Sequence, residues 1–82
     1  MGYYNVIVRG GCDYCDMATS LLKEKCIDYV VTDISNCAEA HQAYKEEYTW
    51  ETVPIVIKHN DDKEILIGGF DDLEKHIHAV EA

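Results

Sequence analysis

No apolar run in this 82-residue chain approaches the roughly 20 residues that a membrane-spanning helix needs. No targeting segment is expected either. Met1-Gly2-Tyr3-Tyr4-Asn5 is uncharged and runs straight into strand-like residues, so no secretory leader is expected. Val6 stands where N-myristoylation favours Ser or Thr, and no Asn-x-Ser/Thr acceptor occurs. Basic residues are scarce: seven Lys and Arg against sixteen Asp and Glu, a formal net charge of −9. Nucleic-acid binders carry basic patches that neutralise phosphates, so this balance argues against them; the plain reading of the excess charge is solubility. Repeats, linkers and low-complexity segments are lacking, and Pro54 is the only proline. What remains is one domain over residues 1–82, expected in the cytoplasm. A chain this short needs helix-on-sheet packing or cross-links to hold its core. Its apolar fraction, 48%, is that of an ordinary globular protein rather than a disordered one.

Four cysteines are present, and two of them, Cys12 and Cys15, form a Cys-x-x-Cys pair. An apolar run, Tyr4-Asn5-Val6-Ile7-Val8, leads through Arg9-Gly10-Gly11 into Cys12-Asp13-Tyr14-Cys15. The amphipathic segment Met17 to Cys26 follows, so the order is strand, glycine turn, two cysteines one helical turn apart, helix. A thiol at a helix N-terminus meets unpaired backbone N–H groups and the positive end of the helix dipole, which favour the thiolate. In such motifs the first thiol titrates at roughly 3.5–7.5 rather than near 8.5. In a reducing compartment the pair reads as catalytic or metal-binding rather than structural.

Residues 3–8 read as a strand buried on both faces. The helix from about Asp13 to Lys25 puts Met17, Leu21 and Cys26 on one flank, with Ala18 and Leu22 beside them. Residues 27–33 form a second strand, parallel to the first through a right-handed crossover. Ser35-Asn36 can cap a second helix over residues 37–48, with Ala40, Tyr44 and Tyr48 on one face. Ile55 to Lys58 is a third strand, residues 59–63 a turn, and Glu64 to Ile67 an antiparallel fourth strand. Gly68-Gly69 ends it. The last helix, Phe70 to Val80, turns Phe70, Leu73, Ile77 and Val80 to the sheet. The expected fold is α/β, in the order βαβαββα, with one four-stranded mixed sheet and helices on both faces.

Three motifs thus occur in fixed order: Cys12-Asp13-Tyr14-Cys15, Thr52-Val53-Pro54, and Gly68-Gly69-Phe70-Asp71-Asp72-Leu73. Together, over essentially the whole chain, they resemble the glutaredoxins, small glutathione-dependent members of the thioredoxin superfamily, in their short bacterial and phage form. The resemblance implies a thioredoxin-like fold and a thiol–disulfide oxidoreductase. Cys12 would be the nucleophile and Cys15 the resolving thiol. Tyr14 would flank the glutathione sulfur, and Val53 would pair its backbone with the cysteinyl unit beside a cis Pro54, with Thr52 lining the groove. Gly69 would allow close backbone approach, and Phe70 belongs to the same segment. Asp71 and Asp72 would hold the γ-glutamyl end, and Arg9 would meet the glycyl carboxylate. Glutathione is implied as co-substrate, with no tightly bound cofactor and no metal, and protein disulfides, including that of ribonucleotide reductase, as substrates of a monomer.

The chemistry of the residues agrees with these roles. A helix N-terminus suits a carboxylate, Asp72 can pair with an ammonium, and the Arg9 guanidinium is a planar fork for a carboxylate. Two positions depart from the pattern. Asp13 stands where proline is common, and its charge opposes the Cys12 thiolate. Glu51 stands where a basic or neutral polar residue is frequent, which removes a glutathione contact or makes it repulsive. Other readings stay open. Cys12-x2-Cys15 with Cys37-x3-His41 has zinc-like spacing, and glutaredoxins without proline in the motif can share an iron–sulfur cluster. A redoxin recharged by thioredoxin reductase is a further alternative. Cys26 and Cys37 read as small buried or half-buried hydrophobes. Asp71 and Asp72 can also be ordinary helix-start residues. His76 and His78, two apart, read as surface residues. Trp50 belongs to the core or to the rim of the groove.

Overall fold

The computed structural model describes the backbone of residues 2–49 and 52–81 and the side chains of all of these except residues 80 and 81. The elements follow the order β1 (Gly2–Val8), α1 (Asp13–Glu24), β2 (Tyr29–Asp33), α2 (Ala38–Tyr48), β3 (Ile55–Asn60), β4 (Lys63–Gly68) and α3 (Phe70–Glu81). One sheet carries the strands in the order β2-β1-β3-β4. β1 runs parallel to β2, with Val6 opposite Val31, and antiparallel to β3, with Val6 opposite Val56. β3 and β4 form a hairpin through the two-residue turn Asp61-Asp62. The architecture is the expected βαβαββα.

Period-2 alternation along the central strands sorts their side chains onto two faces. Tyr4, Val6 and Val56 pack with Ala18 and Leu22 of α1 and Leu73 and Ile77 of α3. Ile7, Ile55 and Ile57 point the other way, to Ile34 and to Ala40, Tyr44 and Tyr48 of α2. α2 is the thinner cover: among the described residues it buries none. Its last turn is tied down by the Tyr48 hydroxyl, which donates to Glu64 Oε2 at 3.2 Å. Burial, with the negative charges of Glu47 and Glu64, pushes that phenol up to about 12, so it stays a donor.

Several local expectations are corrected. The inward face of α1 is Cys15, Ala18 and Leu22, while Met17 is 45% exposed. At 3.6 residues per turn Met17 lies about 200° round the axis from Cys15, so a helix that turns Cys15 to the sheet turns Met17 out. Cys26 is exposed rather than buried. It occupies the left-handed position (φ 56°) after the Lys25 cap, donating to Lys23 O, while Ile27 N–H reaches Leu22 O. This is a Schellman ending, with Cys26 where glycine is usual and Ile27 packed back on the core. Cys37 is also exposed, and it, not Ser35 or Asn36, caps α2 by accepting Ala40 N–H at 3.4 Å. Ser35 serves another purpose, described below. The side chain expected at Val80 lies outside the described residues.

His76 is half-buried, against the expectation of a surface residue, whereas His78 is exposed. The His76 Nε2 and the Tyr4 hydroxyl share a hydrogen bond of 3.0 Å, and Lys58 lies 5.8 Å above the Tyr4 ring. Burial and the nearby Lys58 charge lower the His76 pKa below its ordinary 6.5.

Two predictions follow from this packing. Leu22→Ala should cost about 2–5 kcal/mol, the usual range for a buried leucine, while Met17→Ala should change stability by less than about 0.5 kcal/mol; urea denaturation of both variants checks the pair. The depressed pKa of His76 means that the unfolded chain binds its proton more readily. Its contribution is therefore present above about pH 6.5 and lost as pH falls. Urea midpoints at pH 7.5 and 5 should diverge less in His76→Gln than in the parent.

Candidate active site

β1 ends at Val8, and Arg9-Gly10-Gly11 carries the chain over the sheet edge to α1. Gly11 has φ 75°, a left-handed conformation that glycine adopts without the Cβ penalty. The turn is tethered to the β2 end: Gly10 N–H donates to Ser35 Oγ at 2.7 Å, and Asp33 Oδ1 accepts from both the N–H and the hydroxyl of Ser35. These hydrogen bonds hold the Asp33 carboxyl below its usual range. Ser35 thus positions the loop that delivers the cysteines.

Cys12 is the N-cap residue of α1, extended in backbone, with Cys15 N–H donating to its Sγ at 3.1 Å. Cys12 and Cys15 form a disulfide, with Cα atoms 5.2 Å apart. The two sulfurs differ in access: Cys15 is 2% exposed, Cys12 half-exposed. An incoming thiolate therefore reaches Cys12. Cys12 Sγ also lies 3.8 Å from the Val53 carbonyl oxygen. In the disulfide that sulfur has no proton, so this is proximity; in the thiol it becomes a weak S–H···O contact. The Val53–Pro54 bond is cis.

Two grooves adjoin the reactive sulfur and share Tyr14, Thr52 and Val53 as a common wall. One, of about 440 Å³, is lined by those three with Pro54, Gly69, Phe70, Asp71 and Asp72. The other, of about 410 Å³, contains Cys12 and runs past Arg9, Asp13, His41 and Lys45. Both volumes fall in the range of about 300–1,000 Å³ common for small-ligand sites. Tyr14, 58% exposed, faces Phe70 across the first groove, ring centroids 6.2 Å apart.

The residues picked from the sequence thus line the trough of these two adjoining grooves, Asp71 and Asp72 in one and Arg9 with Cys12 in the other, except Cys15, which is buried beneath them. Asp72 has a second occupation. Its Oδ2 accepts Gly69 N–H at 3.2 Å, half of a capping box at the α3 start. Asp71 is exposed and makes no hydrogen bond or ion pair among the described residues. The backbone demand lies at Gly68: its φ is 122°, and a Cβ there would sit 2.6 Å from Asp72 Oδ2. Trp50 and Glu51 lie outside the described residues.

Sequence reasoning considered His41 only as a zinc-spaced partner of Cys37 and missed Lys45, although their i, i+4 spacing on α2 was a readable sign of a shared face. With Arg9 they make one end of the trough basic in a chain that is otherwise strongly acidic. Partial burial and the charges of Lys45 and Arg9 hold His41 below its ordinary 6.5. The zinc-like spacing does not assemble: among the described residues no three His, Cys, Asp or Glu side chains converge on a metal position. No helix among them is long and apolar enough to cross a membrane.

Known proteins bear on this site. The glutaredoxin family model matches residues 5–62. The fold is similar to that in the crystal structure of a buckwheat glutaredoxin–glutathione complex, with TM-score 0.74 and 22% identity over 95% of this chain and 71% of that one. It is similar to glutaredoxin 1 from Francisella tularensis, solved with cacodylate, with TM-score 0.72 and 24% identity over 98% and 96% of the two chains. The solution structure of glutaredoxin from Brucella melitensis gives TM-score 0.70 and 23% identity over 94% and 79%. At these identities the likeness is one of fold. No curated protein gave a significant sequence match.

The exposed Asp13 carboxylate beside Cys12 opposes a charged sulfur there. In the reduced protein, Asp13→Pro should therefore speed iodoacetamide alkylation of Cys12 near pH 5–6 by about twofold or more, the scale of an exposed charge pair. Equal rates in both proteins would count against that opposition.

Proposed function

The chain belongs to the glutaredoxin family and is a thiol–disulfide oxidoreductase, and on that footing we propose that glutathione supplies its electrons. The observation that carries this reading is the polarity of the trough. Carboxylates of Asp71 and Asp72 stand at one end, Arg9, Lys45 and His41 outnumber the single carboxylate of Asp13 at the other, and the Cys12 sulfur lies between them beside Val53. Glutathione has the same pattern: an ammonium at its γ-glutamyl end, a thiol in the middle and a glycyl carboxylate at the far end. Its γ-glutamyl carboxylate suits the N-terminus of α3, its ammonium pairs with Asp71 and Asp72, and its cysteinyl unit runs along the Val53 backbone. Tyr14, Thr52, Pro54, Gly69 and Phe70 wall the groove. That the buckwheat protein was crystallised with glutathione is consistent with this assignment.

The unequal access of the two sulfurs sets the order of steps. Starting from the reduced protein, the Cys12 thiolate attacks a substrate disulfide; a Cys12–substrate bond forms and the other substrate sulfur leaves as thiolate. Cys15, as thiolate, then attacks Cys12 Sγ, releasing the reduced substrate and closing Cys12–Cys15. A glutathione thiolate reopens that bond at the accessible Cys12, freeing Cys15. A second glutathione thiolate attacks the glutathione sulfur of the mixed disulfide, so Cys12 returns as thiolate and oxidised glutathione departs. Glutathionylated substrates need only Cys12 and this last exchange. Disulfide-bearing proteins, ribonucleotide reductase among them, are the proposed acceptors. The proposed setting is the cytoplasm, and the proposed working form is a monomer.

Cys12→Ser should abolish glutathione-coupled reduction of both protein disulfides and glutathione mixed disulfides. Cys15→Ser should lose the former and keep the latter. Activity surviving in Cys12→Ser, or turnover with thioredoxin reductase but none with glutathione, would refute the assignment.

A further inference from the structure

β2 is an edge of the sheet, and no strand lies beyond it among the described residues. Asp28 and Ile34, at its two ends, both bond to β1: Asp28 O accepts from Tyr4 N–H at 3.0 Å, and Ile34 N–H donates to Val8 O at 2.9 Å. Backbone groups alternate along a strand, so Val30 and Thr32 also face β1, while Tyr29, Val31 and Asp33 turn their N–H and C=O groups outward. Natural edges are commonly blunted by charge or a bulge. The opposite edge, β4, opens with Lys63 and Glu64 and shifts register against β3. β2 has no such guard: Tyr29-Val30-Val31-Thr32 is uncharged, and Val30 and Val31 are each 49% exposed. A third groove, of about 310 Å³, lies between this edge and α1. Tyr29, Val31 and Asp33 line one side of it, Asp16 and Thr19 the other, and it reaches Cys12.

We propose that the polypeptide of a disulfide-bearing substrate docks here: an extended segment flanked by lysine or arginine adds to β2 as a further strand, and its cysteine reaches Cys12 through the third groove. The proposal rests on protein disulfides being acceptors, as above, and names the kind of segment accepted. Backbone hydrogen bonds to Tyr29, Val31 and Asp33 carry the docking, as in other cases of strand addition. Alternate side chains of the segment fall on the α1 side, where Val31 offers apolar contact. The charge of the segment follows from the groove. Two carboxylates, Asp16 and Asp33, stand against one cation, Arg9, and Asp28 precedes the strand. That excess favours a basic segment, as does the net charge of −9. The same charge disfavours a second copy of this chain on the edge, since it would bring another −9 and its own Asp28 and Asp33. Polypeptide and glutathione are then recognised by surfaces that meet only between Arg9 and Cys12.

The test traps the docked state in the Cys15→Ser protein. Two peptides with one cysteine each, one rich in lysine and valine and one with glutamate for lysine, are supplied as thiopyridyl disulfides. The Cys12 thiolate attacks the peptide sulfur, a Cys12–peptide disulfide forms, and pyridine-2-thiolate leaves; the glutathione adduct is the comparison. In the basic-peptide adduct the Val31 and Asp33 amides should exchange with deuterium, read by NMR, about tenfold more slowly than in the glutathione adduct, the scale of one added backbone hydrogen bond. Val30 and Thr32, already bonded to β1, should not change. Equal exchange in the two adducts, or equal protection by the acidic peptide, would overturn the proposal. Glutathione failing to add to Cys12 while the basic peptide adds and protects the edge would refute the glutathione reading alone. In the Cys15-containing protein, Val31→Pro removes an outward N–H and no ladder bond. It should raise the KM for a disulfide of the basic peptide about two- to tenfold and leave reduction of the glutathione–mercaptoethanol mixed disulfide unchanged. Val31→Lys, which keeps the N–H, should weaken the preference for the basic over the acidic peptide. An unchanged KM in Val31→Pro, or an unchanged preference in Val31→Lys, would overturn the proposal. A dimeric parent made monomeric by Val31→Pro or Val31→Lys would overturn it too, assigning the edge to a second copy.

Discussion

The hydrogen bond from Cys15 N–H to Cys12 Sγ organises this protein. It satisfies one of the backbone donors that every helix leaves open at its start. The group that satisfies it is a sulfur that must carry negative charge during turnover. Helix capping and nucleophile activation are thus the same contact. Everything upstream delivers Cys12 to that spot: β1 at the sheet centre, the left-handed Gly11, and the Ser35 hydroxyl that fixes Gly10 to the end of β2. Everything downstream shields its neighbour, since Cys15, Ala18 and Leu22 form the inward face of α1. The distinction between an attacking and a resolving sulfur is a matter of which way the helix is rolled against the sheet.

Around that sulfur the chain spends its few basic residues unevenly. Of the seven, Arg9 and Lys45 line the groove beside Cys12, in a molecule of net charge −9. Two acidic residues mark the opposite end, where α3 begins. A long-range negative field with a local positive spot selects for ligands that are anionic at one end only, because a uniformly anionic one is repelled before it arrives. Asp72 also shows how structure and recognition overlap. Its carboxylate closes the α3 N-terminus on Gly69, and Gly68 must lack a side chain to leave it room.

Much of this was legible in the sequence because several independent signals agreed. The apolar runs, the glycine turns and the three motifs in order specified the element sequence, the parallel crossover, the hairpin and the trough. What was not legible depended on how elements rotate and meet. The apolar residues of α1 allow two adjacent stripes, one with Met17 and one with Cys15; only docking on the sheet, with Cys15 inward, chooses. Ser35 and Asn36 were the candidates for the α2 cap, but Ser35 is bonded to Gly10 and Asp33 and the helix starts later, so Cys37 caps it. Cys26 looked apolar enough to bury, yet the Schellman ending needs a left-handed residue there and turns it outward. His76 was judged from its spacing to His78 alone, although its partner, Tyr4, lies 72 positions away. The tandem Gly68-Gly69 announced a tight backbone but not which of the two carries the constraint.

α2 differs from the other helices in a way that reaches beyond folding. It meets the sheet through Ala40, Tyr44 and Tyr48, buries none of its described residues, and presents His41 and Lys45 to the groove. Residues on that groove-lining face answer to what occupies the groove and hardly at all to the core. A lineage carrying this fold can therefore exchange them one at a time, retuning which thiols it serves, while the sulfur chemistry at the start of α1 is inherited unchanged.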